Sequence, residues 1–157
     1  MRLLRVGHAL AVLIGTGCGT GFSPVASGTV GSLVGVALYL PLAAAGLPAV
    51  AIAVAVLFPI GVWAAGVCGR RYGAHDHGRI VVDEIVGQII ALASIPARPG
   101  WLIAGFLLFR LFDIWKPFPA GRIDARWRTP FGVMADDVVA GVYANLSLQA
   151  IRAFLGA

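Results

Sequence analysis

Residues 29–46 and 48–72 are two apolar stretches separated only by a turn marked by Pro41, Gly46 and Pro48, and neither carries a charged side chain before Arg70. A helix needs roughly 20 apolar residues to cross the hydrocarbon core, where every backbone donor and acceptor must be satisfied without water. Two such stretches in succession require a membrane-embedded helical hairpin. The composition extends that requirement to the whole chain: 59% of the 157 residues are hydrophobic and 12% are charged, against about 25% charged in an ordinary soluble domain. Residues 1–157 therefore read as one membrane-embedded domain of about four or five passes, with nothing left over for a soluble one.

Breakers and caps divide the chain further. A short amphipathic or interfacial helix near 3–14 precedes the irregular stretch GTGCGTGFSPVASG, and Ser27 or Thr29 caps the first long helix. After the helix ending near Tyr72 come a polar loop, GAHDHG, and a short helix over 80–94. The turn SIPARPG leads to a helix over 101–115, then to the long polar connection KPFPAGRIDARWRTPFG and a last helix over 133–155. The expected fold is an all-α polytopic membrane bundle of about five to six helices. Segment 80–94, with about 11 to 15 apolar residues, is either a central helix shielded by the others or one that crosses only in part. Gly31 and Gly35 form a GxxxG pair suited to close helix packing.

The N-terminus imitates a signal peptide, with Arg2 and Arg5 ahead of an apolar run and Cys18 after it, but Gly15 stands where a lipoprotein signal wants a Leu-like residue. Cys18 and Cys68 fit no metal spacing and neither has an Arg six positions on, so both are expected to be buried thiols.

Short turns make successive helices antiparallel. If residue 29 begins on a near side, all seven carboxylates fall there: Asp76, Asp83, Glu84, Asp113, Asp124, Asp136 and Asp137. So do Arg70, Arg71, Arg79, Arg110, Lys116, Arg122, Arg126 and Arg128, leaving Arg98 and Arg152 on the far side. The positive-inside rule makes the near side cytoplasmic. The net charge of +5 is thus spread over inter-helix stretches that report orientation and anionic lipid, not a nucleic-acid partner.

Asp83-Glu84 and Asp136-Asp137 head two helices, where the helix dipole favours acids. Asp113 ends a third, where the dipole disfavours it. All five lie in apolar settings (IVVDEIV, FRLFDIW, VMADDVV) and need a compensating cation. An all-oxygen ligand set selects Mg²⁺, with Mn²⁺ as the alternative, and one or two ions fit the ligand count. Arg110 and Lys116, three residues either side of Asp113, are either its ion-pair partners or phosphate clamps.

The glycine-rich stretch fits neither GxGxxG nor a P-loop. Its amides and the Thr29 and Ser32 hydroxyls, at a helix N-terminus beside the acids, are candidates to cradle a phosphate, or they simply turn the chain. His75, Asp76 and His77 lack zinc spacing; His77 is either a solvated loop residue or an acid/base group.

The blocks GTGFSPVASGTVGSL (19–33), DHGRIVVDEIVG (76–87), FRLFDIWKPFP (109–119) and GVMADDVVAGVYA (132–144) together resemble the phosphatidylglycerophosphatase A family of bacterial membrane phosphatases. Ser27 departs from it, standing where the family usually has a proline. The resemblance implies a bundle with one buried helix surrounded by others. It implies a Mg²⁺-dependent lipid phosphatase that converts phosphatidylglycerophosphate to phosphatidylglycerol and phosphate in the bacterial cytoplasmic membrane. It carries the acids Asp83, Glu84, Asp113, Asp136 and Asp137, together with Lys116 and Asp76.

On that basis Asp83, Glu84, Asp113, Asp136 and Asp137 are expected to hold metal and activate water. Lys116 and Arg110 would neutralise phosphate, Thr29 and Ser32 would donate hydrogen bonds to it, and Asp76 or His77 would shuttle a proton. An aspartyl nucleophile ranks second, because the DxDxT arrangement is missing. The rival class is a cation transporter or channel using buried acids, which should carry ionisable groups at several depths. A helix-packing subunit would leave so many acids at one face unexplained. The expected partners are the phospholipid substrate and the bilayer, with room left for a homo-oligomer.

Overall fold

The computed structural model describes residues 2–156; Met1 and Ala157, the ends of the expected domain, lie outside the described residues. Within them are seven α-helices and no strand: α1 (Arg2–Gly15), α2 (Ser27–Ala45), α3 (Leu47–Tyr72), α4 (Val82–Leu92), α5 (Pro99–Trp115), α6 (Ala120–Arg126) and α7 (Pro130–Leu155). The all-helical expectation holds. Three of these helices, α2, α3 and α7, are long and apolar enough to cross a membrane, fewer than the expected four or five.

The short helix α4 is the axis of the bundle. At 11 residues it is roughly 16 Å long and cannot span a core of about 30 Å. It survives because every side is covered. Val81, Ile85, Ile89 and Leu92 pack with Tyr39 and Val50 of α2 and α3. Val82 and Val86 meet Ala65, Cys68 and Met134, and Ala91 meets Phe109, Ala140 and Ala144. Its end is satisfied inside the protein as well. Asn145 Nδ2 donates to Ala91 O (3.0 Å) and Ala93 O (2.7 Å), and Tyr39 OH donates to Ile95 O (2.5 Å). Carbonyls that lipid could not hydrogen-bond thus find partners.

Close approach of α2 to α4 depends on the expected glycine pair. A Cβ on Gly31 would stand 2.8 Å from Val81 Cβ, and one on Gly35 would stand 2.8 Å from Ile85 O. The larger side chains that prefer a lipid-facing helix would hold the two apart.

Four local expectations are corrected. Neither Ser27 nor Thr29 caps α2: Ala26 is its N-cap, in the left-handed region at φ 46°, while Ser27 Oγ donates to Gly78 O (2.5 Å) and ties α2 to the loop before α4. Pro41 lies inside α2 rather than in the hairpin, which turns at Gly46. The long polar connection contains α6, whose AGRIDAR sequence lacks the apolar stripe that announces a helix. Cys68 is buried, but Cys18 is exposed, since it sits in the turn after α1 rather than in a packed helix.

Candidate active site

α2, α4 and α7 begin, and α3 and α5 end, on one side of the bundle. The acids gather there. Asp83 and Glu84 occupy the first turn of α4, Asp136 and Asp137 the second turn of α7, and Asp113 the last turn of α5. A Cβ on Gly87 would stand 2.7 Å from Asp137 O, so the absence of a side chain there lets α7 bring Asp137 against α4.

Asp83, Asp136 and Asp137 are only 7%, 4% and 4% exposed. One oxygen from each of Asp83, Glu84 and Asp137 lies within 4.8 Å of the others. Asp83 Oδ1, Glu84 Oε2 and Asp137 Oδ2 are buried with no hydrogen-bond partner, as is Asp136 Oδ1. Carboxylates brought this close repel one another, and their unpartnered buried oxygens lack solvation. A divalent cation with oxygen ligands corrects both faults, so the residues present fit such an ion.

The other two acids are partnered. Asp113 pairs with Arg110 one turn earlier on α5, and it is an electrostatic neighbour of Glu84 and Asp137. Lys116 Nζ donates to Asp136 Oδ2 at 2.6 Å and pairs with Asp124 Oδ1 at 2.9 Å. Lys116 ends α5 in the left-handed region, at φ 47°. A lysine there costs on the order of 1 kcal/mol or more, and the two ion pairs hold it. Burial alone would lower the Lys116 ammonium, but its hydrogen bonds to Asp136 and Asp124 and their charges outweigh burial and hold it above the ordinary lysine range.

The remaining expected residues divide. Asp76 is exposed on the loop before α4, an electrostatic neighbour of Asp83 and Asp136. His77 serves its own loop, its Nδ1 accepting from Arg79 N (3.2 Å) and its ring lying 5.0 Å from that of Tyr72. Thr29 is half-buried in the first turn of α2. Ser32 is fully buried and its hydroxyl donates to Gly28 O at 2.8 Å, so the hydrogen meant for a phosphate is already engaged.

Three participants were not singled out from the sequence. Asp124 anchors Lys116 from α6. Gln88, one turn beyond Glu84, is fully buried with both amide atoms unpartnered. Gly28 brings the α2 backbone against Glu84 and Arg110: a Cβ there would collide with Glu84 Oε1 and stand 3.1 Å from Arg110 Nη1. Its signal was its place in a glycine-rich turn facing the acids.

The family model for phosphatidylglycerophosphatase A matches residues 13–152. The chain belongs to that family. It is 42% identical over 152 residues to the phosphatidylglycerophosphatase A of Haemophilus influenzae, covering 96% of this chain and 91% of that protein. The Escherichia coli K12 protein of the same name is 38% identical over 136 residues, covering 86% of this chain and 77% of that one. A Bacteroides thetaiotaomicron protein, named as a proposed phosphatidylinositol-3-phosphatase, is 43% identical over 155 residues, covering 94% of this chain and 96% of its own. No solved structure matches the chain. The family assignment agrees with the resemblance carried by the acidic blocks, all of which lie inside the matched residues.

Proposed function

We propose that this chain hydrolyses the terminal phosphomonoester of phosphatidylglycerophosphate, giving phosphatidylglycerol and phosphate, with Mg²⁺ held by Asp83, Glu84 and Asp137 and flanked by Asp113 and Asp136. The observation that carries the proposal is the trio Asp83, Glu84 and Asp137, which bring one carboxylate oxygen each within 4.8 Å of the others, and each of which has a buried oxygen without a hydrogen-bond partner. A bound Mg²⁺ supplies phosphate-charge neutralisation and a water of lowered pKa.

The chain's own groups do the rest. Arg110 and Lys116 bring positive charge beside the acids and offset the charge of an arriving phosphomonoester. Thr29, half-buried in the first turn of α2, would donate a hydrogen bond to it. Asp76, exposed on the loop before α4, takes up the proton that attacking water releases. Acyl chains lie along the lipid-facing sides of α2 and α5, where Leu33, Ile103 and Leu107 are exposed. The acidic side faces the cytoplasm, on the positive-inside distribution of Arg and Lys.

The substrate assignment rests on the names of the Haemophilus and Escherichia relatives and of the family; the Bacteroides relative's name supplies the competing lipid phosphate. Transport is disfavoured because the carboxylates end at one depth. The test is phosphate release by purified protein from phosphatidylglycerophosphate and from phosphatidylinositol-3-phosphate. Release from the first, lost on chelation and in Asp113→Asn, supports the reading. Preference for the second would move the substrate, and full activity in Asp113→Asn would remove that residue from the site.

A further inference from the structure

Helix α6 turns two chemistries in two directions. Asp124 reaches Lys116 and the acidic centre. Arg122 and Arg126, four residues apart and therefore neighbours on one helix face, are exposed, and among the described residues neither makes an ion pair. With Phe118, Pro119, Ile123 and Trp127 they line a cavity of about 470 Å³ that none of the clustered acids enters. The Arg122 guanidinium lies 5.8 Å from the centroid of the Phe118 ring. Phe118 and Trp127 are 70% and 49% exposed, and Trp115, just before, is 68% exposed.

Exposed aromatics at the end of a membrane helix mark the headgroup level of the bilayer. Two guanidiniums without carboxylate partners at that level, that of Arg122 against the Phe118 ring, present paired donors to an oxyanion beside apolar surface for what hangs from it. A free anion would leave the aromatics uncovered. A headgroup of no net charge would bring a cation against the arginines with no second anion to offset it. We propose that this cavity is a binding site for the phosphodiester of an anionic glycerophospholipid from the surrounding leaflet, separate from the acidic centre.

The test uses the full chain in detergent, titrated with phosphatidylserine and with phosphatidylcholine and read as lipid adducts by native mass spectrometry. Phosphatidylserine has no terminal phosphomonoester, so its binding does not depend on the proposed reaction. The wild type is expected to bind phosphatidylserine in preference to phosphatidylcholine, with inorganic phosphate a poor competitor. Each of Arg122→Gln and Arg126→Gln should weaken phosphatidylserine about fivefold and the double variant about thirtyfold, with phosphatidylcholine unchanged. The single variants and an Arg122→Lys/Arg126→Lys pair, which keeps the charge, carry the test should the double glutamine variant fail to fold. Equal binding of the two lipids, undiminished phosphatidylserine in the glutamine variants, or displacement by inorganic phosphate at matched concentration would each overturn the proposal.

Discussion

Gly28→Ala separates the geometry of the site from the stability of the fold. Gly28 lies in the first turn of α2, where alanine is favoured over glycine by about 1 kcal/mol on helix propensity alone. The new Cβ would collide with Glu84 Oε1, stand 3.2 Å from Glu84 Cδ and stand 3.1 Å from Arg110 Nη1. Non-bonded heavy atoms settle at about 3.5 to 4.0 Å. Relief therefore moves the Glu84 carboxylate, the free end of a flexible side chain, by on the order of 1 Å. Such a displacement of a group in the reacting constellation costs about 100-fold in rate. The variant should unfold at the wild-type temperature or slightly above it, while kcat/KM for phosphatidylglycerophosphate falls about 100-fold. The assay is phosphate release beside thermal unfolding in one detergent. Activity within about threefold of wild type would show that Glu84 is not held in place for the reaction. A matching loss of stability would show that the alanine disrupts packing instead.

Lys116→Met leaves Asp136, whose side chain is 5% exposed, without its cation, and should lower stability by about 3 kcal/mol. Because the folded ammonium is held above its unfolded value of about 10.4, its contribution is complete below that value and is lost only as pH rises through the higher folded one. The unfolding-temperature gap between wild type and Lys116→Met should therefore not shrink between about pH 8 and pH 10; a gap that closes there would refute the raised ammonium. Gln88→Met removes two unpartnered buried amide atoms, each a cost of about 1 to 3 kcal/mol. It should raise the unfolding temperature, and a fall would mean that a buried water completes the amide's hydrogen bonds.

The helical hairpin was legible because residues 33–69 contain no charge, and lipid permits little but helix for such a run. The convergence of the acids was legible for a related reason: short turns fix helix direction, and direction puts every carboxylate on one side. Depth and partnership were not legible. No periodicity announces that Asn145 and Tyr39 close the far end of α4, because each is a single polar residue in an apolar helix. Ser32 read as a phosphate donor because spacing gives a helix face, not whether a hydroxyl bonds back to its own helix. The α6 helix escaped notice because AGRIDAR carries no apolar stripe, and its packing against α7 and the Asp124 pair with Lys116 are tertiary contacts without local signal.

The divalent-metal centre proposed at Asp83, Glu84 and Asp137 is tested by titration of the purified, metal-stripped protein with Mn²⁺, followed by electron paramagnetic resonance with no lipid substrate present. Saturable binding by wild type that Mg²⁺ competes away, weakened at least about tenfold in Asp83→Asn and in Asp137→Asn with unfolding temperatures preserved, is the predicted result. Wild-type Mn²⁺ affinity in both variants would refute a metal centre at these acids.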